Sequence, residues 1–272
     1  MVVLLCTLPS LESLYLEFKS PQSRLDGESR SLPPPKRSVL SSLDHFLFKG
    51  AIEYLEEFVT HIDTPQLDHL HITFFNQIDF NTPRLAQFIN RTPKLKKRDA
   101  LVQFNDNFAR VGLPPRPSTL QITVSCKEPD WRLSSVAQIC NSSLRPLSTV
   151  EDLYIELRYS QLVWKNDAID NTIWLELLLP FTAVINLYLA KEFAPGIAVA
   201  LKELVGRITE VLPSLQNIFV QGLEPSGPFQ ENIGRFVAIR QLSDHPIAIS
   251  KWDKDSDISD LDSLRDWDMG PM

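Results

Sequence analysis

Nine glycines in 272 residues leave few positions for loops that cradle phosphate, and no G-x-G-x-x-G, no G-x-x-x-x-G-K-[ST] and no G-x-S-x-G occurs. The common nucleotide-binding loops and the nucleophile elbow of α/β hydrolases therefore have no local signature. Cysteine is equally scarce. Cys6, Cys126 and Cys140 form no C-x-x-C pair, which removes zinc ribbons and a disulfide framework and favours a reducing compartment, cytoplasmic or nuclear. Free cysteines of this kind read as small buried hydrophobes rather than nucleophiles. Positive charge is in deficit, with 27 Lys and Arg against 34 Asp and Glu and a net charge of -7, which argues against nucleic acid or an anionic membrane as the main partner. The basic run PKLKKR at 93–98 has no interleaved aromatics and no second cluster, so it reads as a solvated face. No apolar run approaches the roughly 20 residues of a membrane span. The apolar start MVVLLCTLPSL has no basic n-region and reads as a buried element edge rather than a signal peptide. Without such a signal, the sequons at Asn90 and Asn141 are incidental.

What is present is a repeated phrase. LPSLESLYL at 8–16 and LPSLQNIFV at 212–220 share the pattern L-x-x-L-x-x-L-x-L with other apolar residues allowed, and copies recur at 40–48, 147–155 and 181–189. A sixth, TPQLDHLHI at 64–72, lacks only the first apolar residue. The final pair has period two, so both side chains face one side of a strand, while the preceding spacing of three suits a turn that feeds it. Such a strand cannot bury its apolar side alone; parallel stacking of successive copies builds one sheet over one core. TLQITVSC reads as a further strand without the lead-in. Parallel neighbours need return segments. AIEYLEEFVTHI, PRLAQFINR, LSSVAQIC, NTIWLELLLPF, APGIAVALKELVGRITEVL and GPFQENIGRFVAIRQL are the candidate helices.

The expected organisation is thus α/β: an irregular solenoid over residues 1–250, with parallel strands on one face and helices on the other. Insertions interrupt it near 20–38, rich in Pro and Ser, and near 105–118, where a hinge between two halves is expected; residues 98–117 fit no register. Residues 251–272 hold seven Asp against two Lys and one Arg and read as an acidic disordered tail.

The phrase resembles the leucine-rich repeat, whose strand also reads L-x-x-L-x-L. That family places Asn or Cys three residues after the last strand leucine, where this chain has Lys19, Ala51, Phe75, Arg158, Glu192 and Leu223, so its turns are expected to be held differently. Longer stretches, 54–96 and 174–253, resemble the C-terminal region of F-box proteins from mushroom-forming (basidiomycete) fungi. The resemblance implies a non-enzymatic protein-binding scaffold: the substrate-recognition region of an F-box-type ubiquitin-ligase receptor. No F-box motif precedes the first copy, so the Skp1 adaptor is expected to bind only where an F-box lies upstream. No cofactor is implied. The alternatives are a degenerate paralogue or fragment with no independent activity, or an α/β hydrolase whose nucleophile and base the motifs do not reveal.

The residues between the buried strand positions form ladders on the second face. One reads Tyr15, Leu47, His71, Tyr154, Tyr188, Phe219; its neighbour reads Ser13, His45, His69, Asp152, Asn186, Asn217. Tyr15, His71, Tyr154, Tyr188, Phe219, Asp152, Asn186 and Asn217 are the candidate partner-binding residues, because exposed aromatics are typical interface anchors. Truncating Tyr188 is expected to weaken partner capture with little effect on stability. His45 and His69 are expected about 5 Å apart on adjacent strands, as surface histidines with no third metal ligand to join them.

Overall fold

The computed structural model describes residues 10–18, 37–75, 80–95, 98–113, 119–126, 129–158, 170–204, 207 and 209–253. Leu8, Cys6, most of the 20–38 insertion, residues 114–118, Lys96, Lys97 and the acidic segment 254–272 lie outside the described residues.

The L-x-L ends of the six copies are strands β1 (Ser13–Glu17), β3 (His45–Gly50), β5 (His69–Phe75), β9 (Asp152–Leu157), β10 (Asn186–Leu189) and β11 (Asn217–Gln221). Between and beyond them lie β2 (Ser38–Val39), β4 (Ile62–Asp63), β6 (Asp99–Phe104), β7 (Phe108–Leu113), β8 (Thr119–Ser125) and β12 (Ala248–Trp252). The helices are α1 (Ile52–Thr60), α2 (Pro83–Arg91), α3 (Pro129–Ser142), α4 (Asn171–Leu178), α5 (Ala194–Lys202) and α6 (Pro228–Leu242). The order expected from the sequence holds for these elements. α5 is shorter than its apolar pattern suggests and closes at Glu203, whose N–H bonds back to the Ala200 carbonyl at 3.1 Å.

The phrase has a repeated backbone geometry. In five copies the N–H of the second apolar position closes a turn onto the carbonyl three residues earlier: Leu43 on Leu40, Leu67 on Thr64, Val150 on Leu147, Val184 on Phe181 and Leu215 on Leu212, at 3.1–3.5 Å. The carbonyl of the fifth position then receives two N–H groups from the next strand over. Glu12 O takes Asp44 and His45, Asp44 O takes Asp68 and His69, Glu151 O takes Ile185 and Asn186, and Ile185 O takes Gln216 and Asn217, at 2.8–3.1 Å. These bonds satisfy the backbone of the turn that leads into each strand. Apolar positions of the five copies from residue 40 onward are buried, from Leu40 to Val220, and they join the helices in one core cluster.

The sheet has ten strands in the order β1-β3-β5-β8-β7-β6-β9-β10-β11-β12, and β2 pairs β4 separately. The copies therefore stack consecutively in two runs of three. Between the runs lies a meander, β6-β7-β8, inserted in reverse order, with β7 antiparallel to both neighbours and every other pairing parallel. This corrects the expected hinge: residues 99–113 continue the sheet across the junction. The tight turn between β6 and β7 is an Asx turn, in which Asn105 Oδ1 accepts the N–H groups of Asn107 and Phe108, each at 2.8 Å. Lys251 and Trp252, expected to begin the tail, instead end β12.

Among the described residues α1 packs on α2, the helices from α3 to α6 pack against each other in chain order, and all share the core cluster with one side of the sheet. Phe46, Ile72, Ile122, Val111, Val102, Leu153, Leu187 and Ile218 face that layer, whereas Leu47, Leu101, Tyr154, Tyr188 and Phe219 lie outside the cluster, on the other face. The layers are pinned by buried polar contacts. Glu56 of α1 accepts the N–H groups of Arg84 (3.1 Å) and Leu85 (2.7 Å), capping α2. Arg240 of α6 is fully buried and donates to the carbonyls of Pro213 (3.2 Å) and Leu215 (2.8 Å) in the lead-in turn of the last copy. That turn holds Leu212 at a positive φ of 49°. No helix among the described residues is long and apolar enough to cross a membrane.

Candidate binding face

Strand registers give the second face three rows of side chains. The middle row runs Tyr15, Leu47, His71, Gln121, Gly112, Leu101, Tyr154, Tyr188, Phe219, Ser250. The six rungs expected from the sequence are all in this row, at the expected register. They are not one continuous ladder, because the meander supplies Gln121, Gly112 and Leu101 between His71 and Tyr154. Tyr15 stands apart at the β1 edge, 57% exposed, and donates its hydroxyl to Glu17 at 2.6 Å. Glu17 also pairs with Lys49 at 3.1 Å.

Tyr154, Tyr188 and Phe219 form a stack. Their ring centroids are 4.3 Å and 4.7 Å apart, and each pair is tilted by only 11°. Trp252, on the same face at the end of β12, crosses the stack at 6.0 Å from Tyr154 and 5.6 Å from Tyr188, and is itself only 2% exposed. The three stacked rings are half-buried. Burial, together with Tyr188 and the carboxylates of Asp152 and Asp99, raises the Tyr154 phenol above its usual range. Tyr188 is thus held between two rings and under a third, so the expectation that its truncation costs little stability does not survive the geometry.

In the adjacent row, Asn217 Nδ2 donates to Asn186 Oδ1 at 2.8 Å, and Asn186 Nδ2 donates to Asp152 Oδ1 at 2.7 Å. The three candidate polar residues are therefore a directed amide ladder that ends on a carboxylate. Asp152 is the register partner of Asp99 on β6. On the other side of the meander, the rings of His45 and His69 stack at 4.2 Å, close to the expected spacing. His45 Nδ1 meets Asp44 Oδ1 at 2.7 Å. Thr119 Oγ1 lies 3.0 Å from His69 Nδ1 and 3.1 Å from His71 Nε2. A hydroxyl has a single proton to donate, so at least one of these imidazoles must donate an N–H to it, which couples the two tautomers. Burial first, then the neighbouring charges of His69, Arg110 and His45, pushes the His71 pKa down to about 4. No group of three or more His, Cys, Asp or Glu able to hold a metal occurs among the described residues.

The third row holds residues that sequence reasoning missed. Arg110, Gln103 and Glu156 are neighbours on β7, β6 and β9 and are 4%, 6% and 5% exposed. Arg110 Nη1 reaches Gln121 Oε1 at 3.5 Å. Alternating patterns in DALVQF and FARVGL, with the Asn turn between them, signal the two strands. Nothing local signals that their polar positions would be buried side by side.

Elsewhere, Cys126 and Cys140 are buried, and burial raises the Cys140 thiol well above its ordinary value, which keeps it protonated. Comparison of the chain with models of known protein families, with characterised proteins and with solved structures finds no match.

Proposed function

We propose that the chain is a non-enzymatic protein-binding scaffold whose second sheet face receives a partner protein. The observation that carries this reading is the half-exposed Tyr154–Tyr188–Phe219 stack on a face that the described helices leave bare. Stacked, rigid aromatics present a large apolar area at low entropic cost, which is the composition of interface anchors. The repeated phrase, the leucine-rich-repeat-like solenoid character it suggests, and the likeness of residues 54–96 and 174–253 to fungal F-box proteins support a narrower form of the proposal. In that form the face is the substrate-recognition surface of an F-box-type ubiquitin-ligase receptor.

The test is comparative capture from fungal extract with quantitative mass spectrometry. Wild type, Phe219→Ala on the sheet face and Glu53→Gln on the outside of α1 serve as baits. Proteins retained by wild type and the α1 variant but depleted with Phe219→Ala support the reading. Recovery that is the same with all three baits refutes it.

A further inference from the structure

The sheet ends on a strand whose outer edge is unpaired, and a distinct surface flanks that edge on each side. β12 is last in the strand order and pairs only with β11. Ala248 gives its N–H to Gln216 O at 2.8 Å, so its backbone faces β11. Alternate residues of a strand turn their backbone groups to opposite neighbours. The N–H and C=O of Ile249 and Lys251 therefore point off the sheet, with no partner there among the described residues. Ala248, Ser250 and Lys251 are exposed, and Lys251 is the single charge on the strand. Such an edge is a template for a further strand. On its helix side, Ile233, Gly234, Val237 and Ala238 of α6 and Ile249 of β12 line an open apolar groove. A Cβ added to Gly234 would meet nothing within 4 Å, so the groove is unfilled. Lys251 lies on the same side as Ile249, two residues along, and makes no ion pair among the described residues. On the sheet side, the aromatic stack runs out at the same edge. Among the described residues Phe219 meets one ring, Tyr188, and its register partner beyond is Ser250, small and exposed.

We propose that the free edge of β12 takes an extended segment of a partner protein as a further strand, with an aromatic residue over Ser250 against Phe219, an aliphatic residue in the α6 groove and an acidic residue beside Lys251. This rests on the sheet face being a binding face, because the aromatic position continues it, and it names the partner's form and chemistry. Main-chain bonds to Ile249 and Lys251 give affinity, and side chains that alternate between the two sides give selectivity. The residues opposite Ile249 and Lys251 fall on the helix side, and the residue between them, opposite Ser250, falls on the sheet side. The preferred ligand then reads aliphatic–aromatic–acidic when parallel to β12 and the reverse when antiparallel. The aromatic extends a stack whose geometry is already set by three rings. A second copy of the chain fits less well, because two antiparallel β12 strands centred on Ser250 set each Lys251 against the other's Ile249 and offer it no carboxylate.

The experiment is selection from a random dodecapeptide phage library on the full chain, followed by titration of the selected synthetic peptides against wild type, Gly234→Leu, Ser250→Tyr, Lys251→Glu and Phe219→Ala. Gly234→Leu fills the groove with a good helix former, and Ser250→Tyr fills the position beside Phe219 with a good strand former. Melting curves accompany each titration, so that a folding defect is separated from a binding defect. The expected result is enrichment of the aliphatic–aromatic–acidic triad in either direction, with affinity falling tenfold or more in Gly234→Leu, Ser250→Tyr and Lys251→Glu. Single N-methyl amides placed along the peptide should abolish binding at every second position. Uniform tolerance of N-methylation overturns strand addition. Affinity unchanged by Gly234→Leu or by Ser250→Tyr overturns the edge site; if Phe219→Ala still weakens those peptides the sheet face stands as a binding face, and if it does not, both readings fall. Selected peptides without an acidic residue, indifferent to Lys251→Glu, overturn the assigned chemistry. A dimer on light scattering that Ser250→Tyr dissolves gives the edge to a second copy. Slow hydrogen exchange of the Ile249 and Lys251 amides in the free monomer means the chain itself covers the edge. Either result overturns the proposal.

Discussion

Leu187→Ala is the sharpest test of the register on which the architecture depends. Leu187 is 0% exposed on β10, flanked in register by Leu153 of β9 and Ile218 of β11, with the helical layer above it. Its neighbours are fixed by two strand ladders and a packed helix layer, so the cavity has little freedom to collapse. Buried Leu→Ala changes cost about 2–5 kcal/mol, and the size of the residual cavity sets the position within that range. For domains of 150–250 residues each kcal/mol lowers the melting temperature by about 2–4 °C, so a drop of about 4–20 °C is expected. Urea titration followed by circular dichroism measures the effect directly: the midpoint should fall with the slope unchanged. Leu187→Met, which conserves volume, should cost under about 1.5 kcal/mol. The reasoning is refuted if Leu187→Ala shifts stability by less than about 1 kcal/mol, since a one-residue slip in register exchanges the two faces of every strand.

Four further outcomes are expected. Tyr188→Ala should cost about 1–3 kcal/mol in the same titration, because it removes two stacked aromatic contacts worth about 0.5–1.5 kcal/mol each; a loss within experimental error would mean the stack does not persist in solution. His71 is held neutral with a pKa near 4, while the unfolded residue titrates near 6.5. Protons therefore bind the unfolded chain preferentially in that window, and stability that is complete above pH 6.5 should decline toward pH 4 by at most about 1.4 kcal/mol per pH unit, a slope that His71→Gln should flatten. Arg240→Met should destabilise by about 2 kcal/mol or more, because two buried carbonyls in the Leu212 turn lose a charged donor; calorimetric melting of the variant checks it. Purified Skp1 should form no stoichiometric complex with this chain on size-exclusion chromatography, since the sequence holds no F-box motif.

The six phrase strands were legible because each carries its own two signals, a turn spacing and a period-two end, within nine residues. Their pairings were legible too, as long as consecutive copies became neighbours: Asn186 opposite Asn217 and Tyr154 opposite Tyr188 follow from aligning the phrases alone. The middle of the sheet was not legible in this way. β6 and β7 are alternating strands without a lead-in turn, and their reverse insertion depends on β8 joining β5 and β6 joining β9, pairings between segments far apart in the chain. Local propensity decides that a segment is extended; it does not decide which edge the segment joins. The same limit applies to Trp252, whose place over Tyr154 and Tyr188 depends on β12 adding to β11, although its neighbours Lys251 and Asp253 give it the composition of a polar tail.

The inserted meander also explains why the second face is chemically divided. Without it, His71 and Tyr154 would be adjacent rungs of one row. With it, the histidines joined to Thr119 of β8 stand apart from the stack that begins at β9, and the two strands between, β7 and β6, carry Arg110 and Gln103 side by side. Antiparallel β7 is what makes this possible. A further parallel phrase would bring another apolar-rich lead-in and a return helix, whereas a tight Asn turn brings the chain back in three residues, Asn105 to Asn107. The polar positions of β6 and β7 are thus placed in the centre of the sheet, where neighbouring side chains screen them from water. Arg110, with a long side chain and a delocalised charge, is suited to such a position because it can spread several donors among neutral acceptors such as Gln121. Exchanging Arg110 for Lys would keep the charge but lose that planar spread. The exchange should therefore destabilise the centre of the sheet while leaving Tyr154, Tyr188 and Phe219 stacked, a separation that hydrogen exchange on β7 amides against those of β10 would resolve.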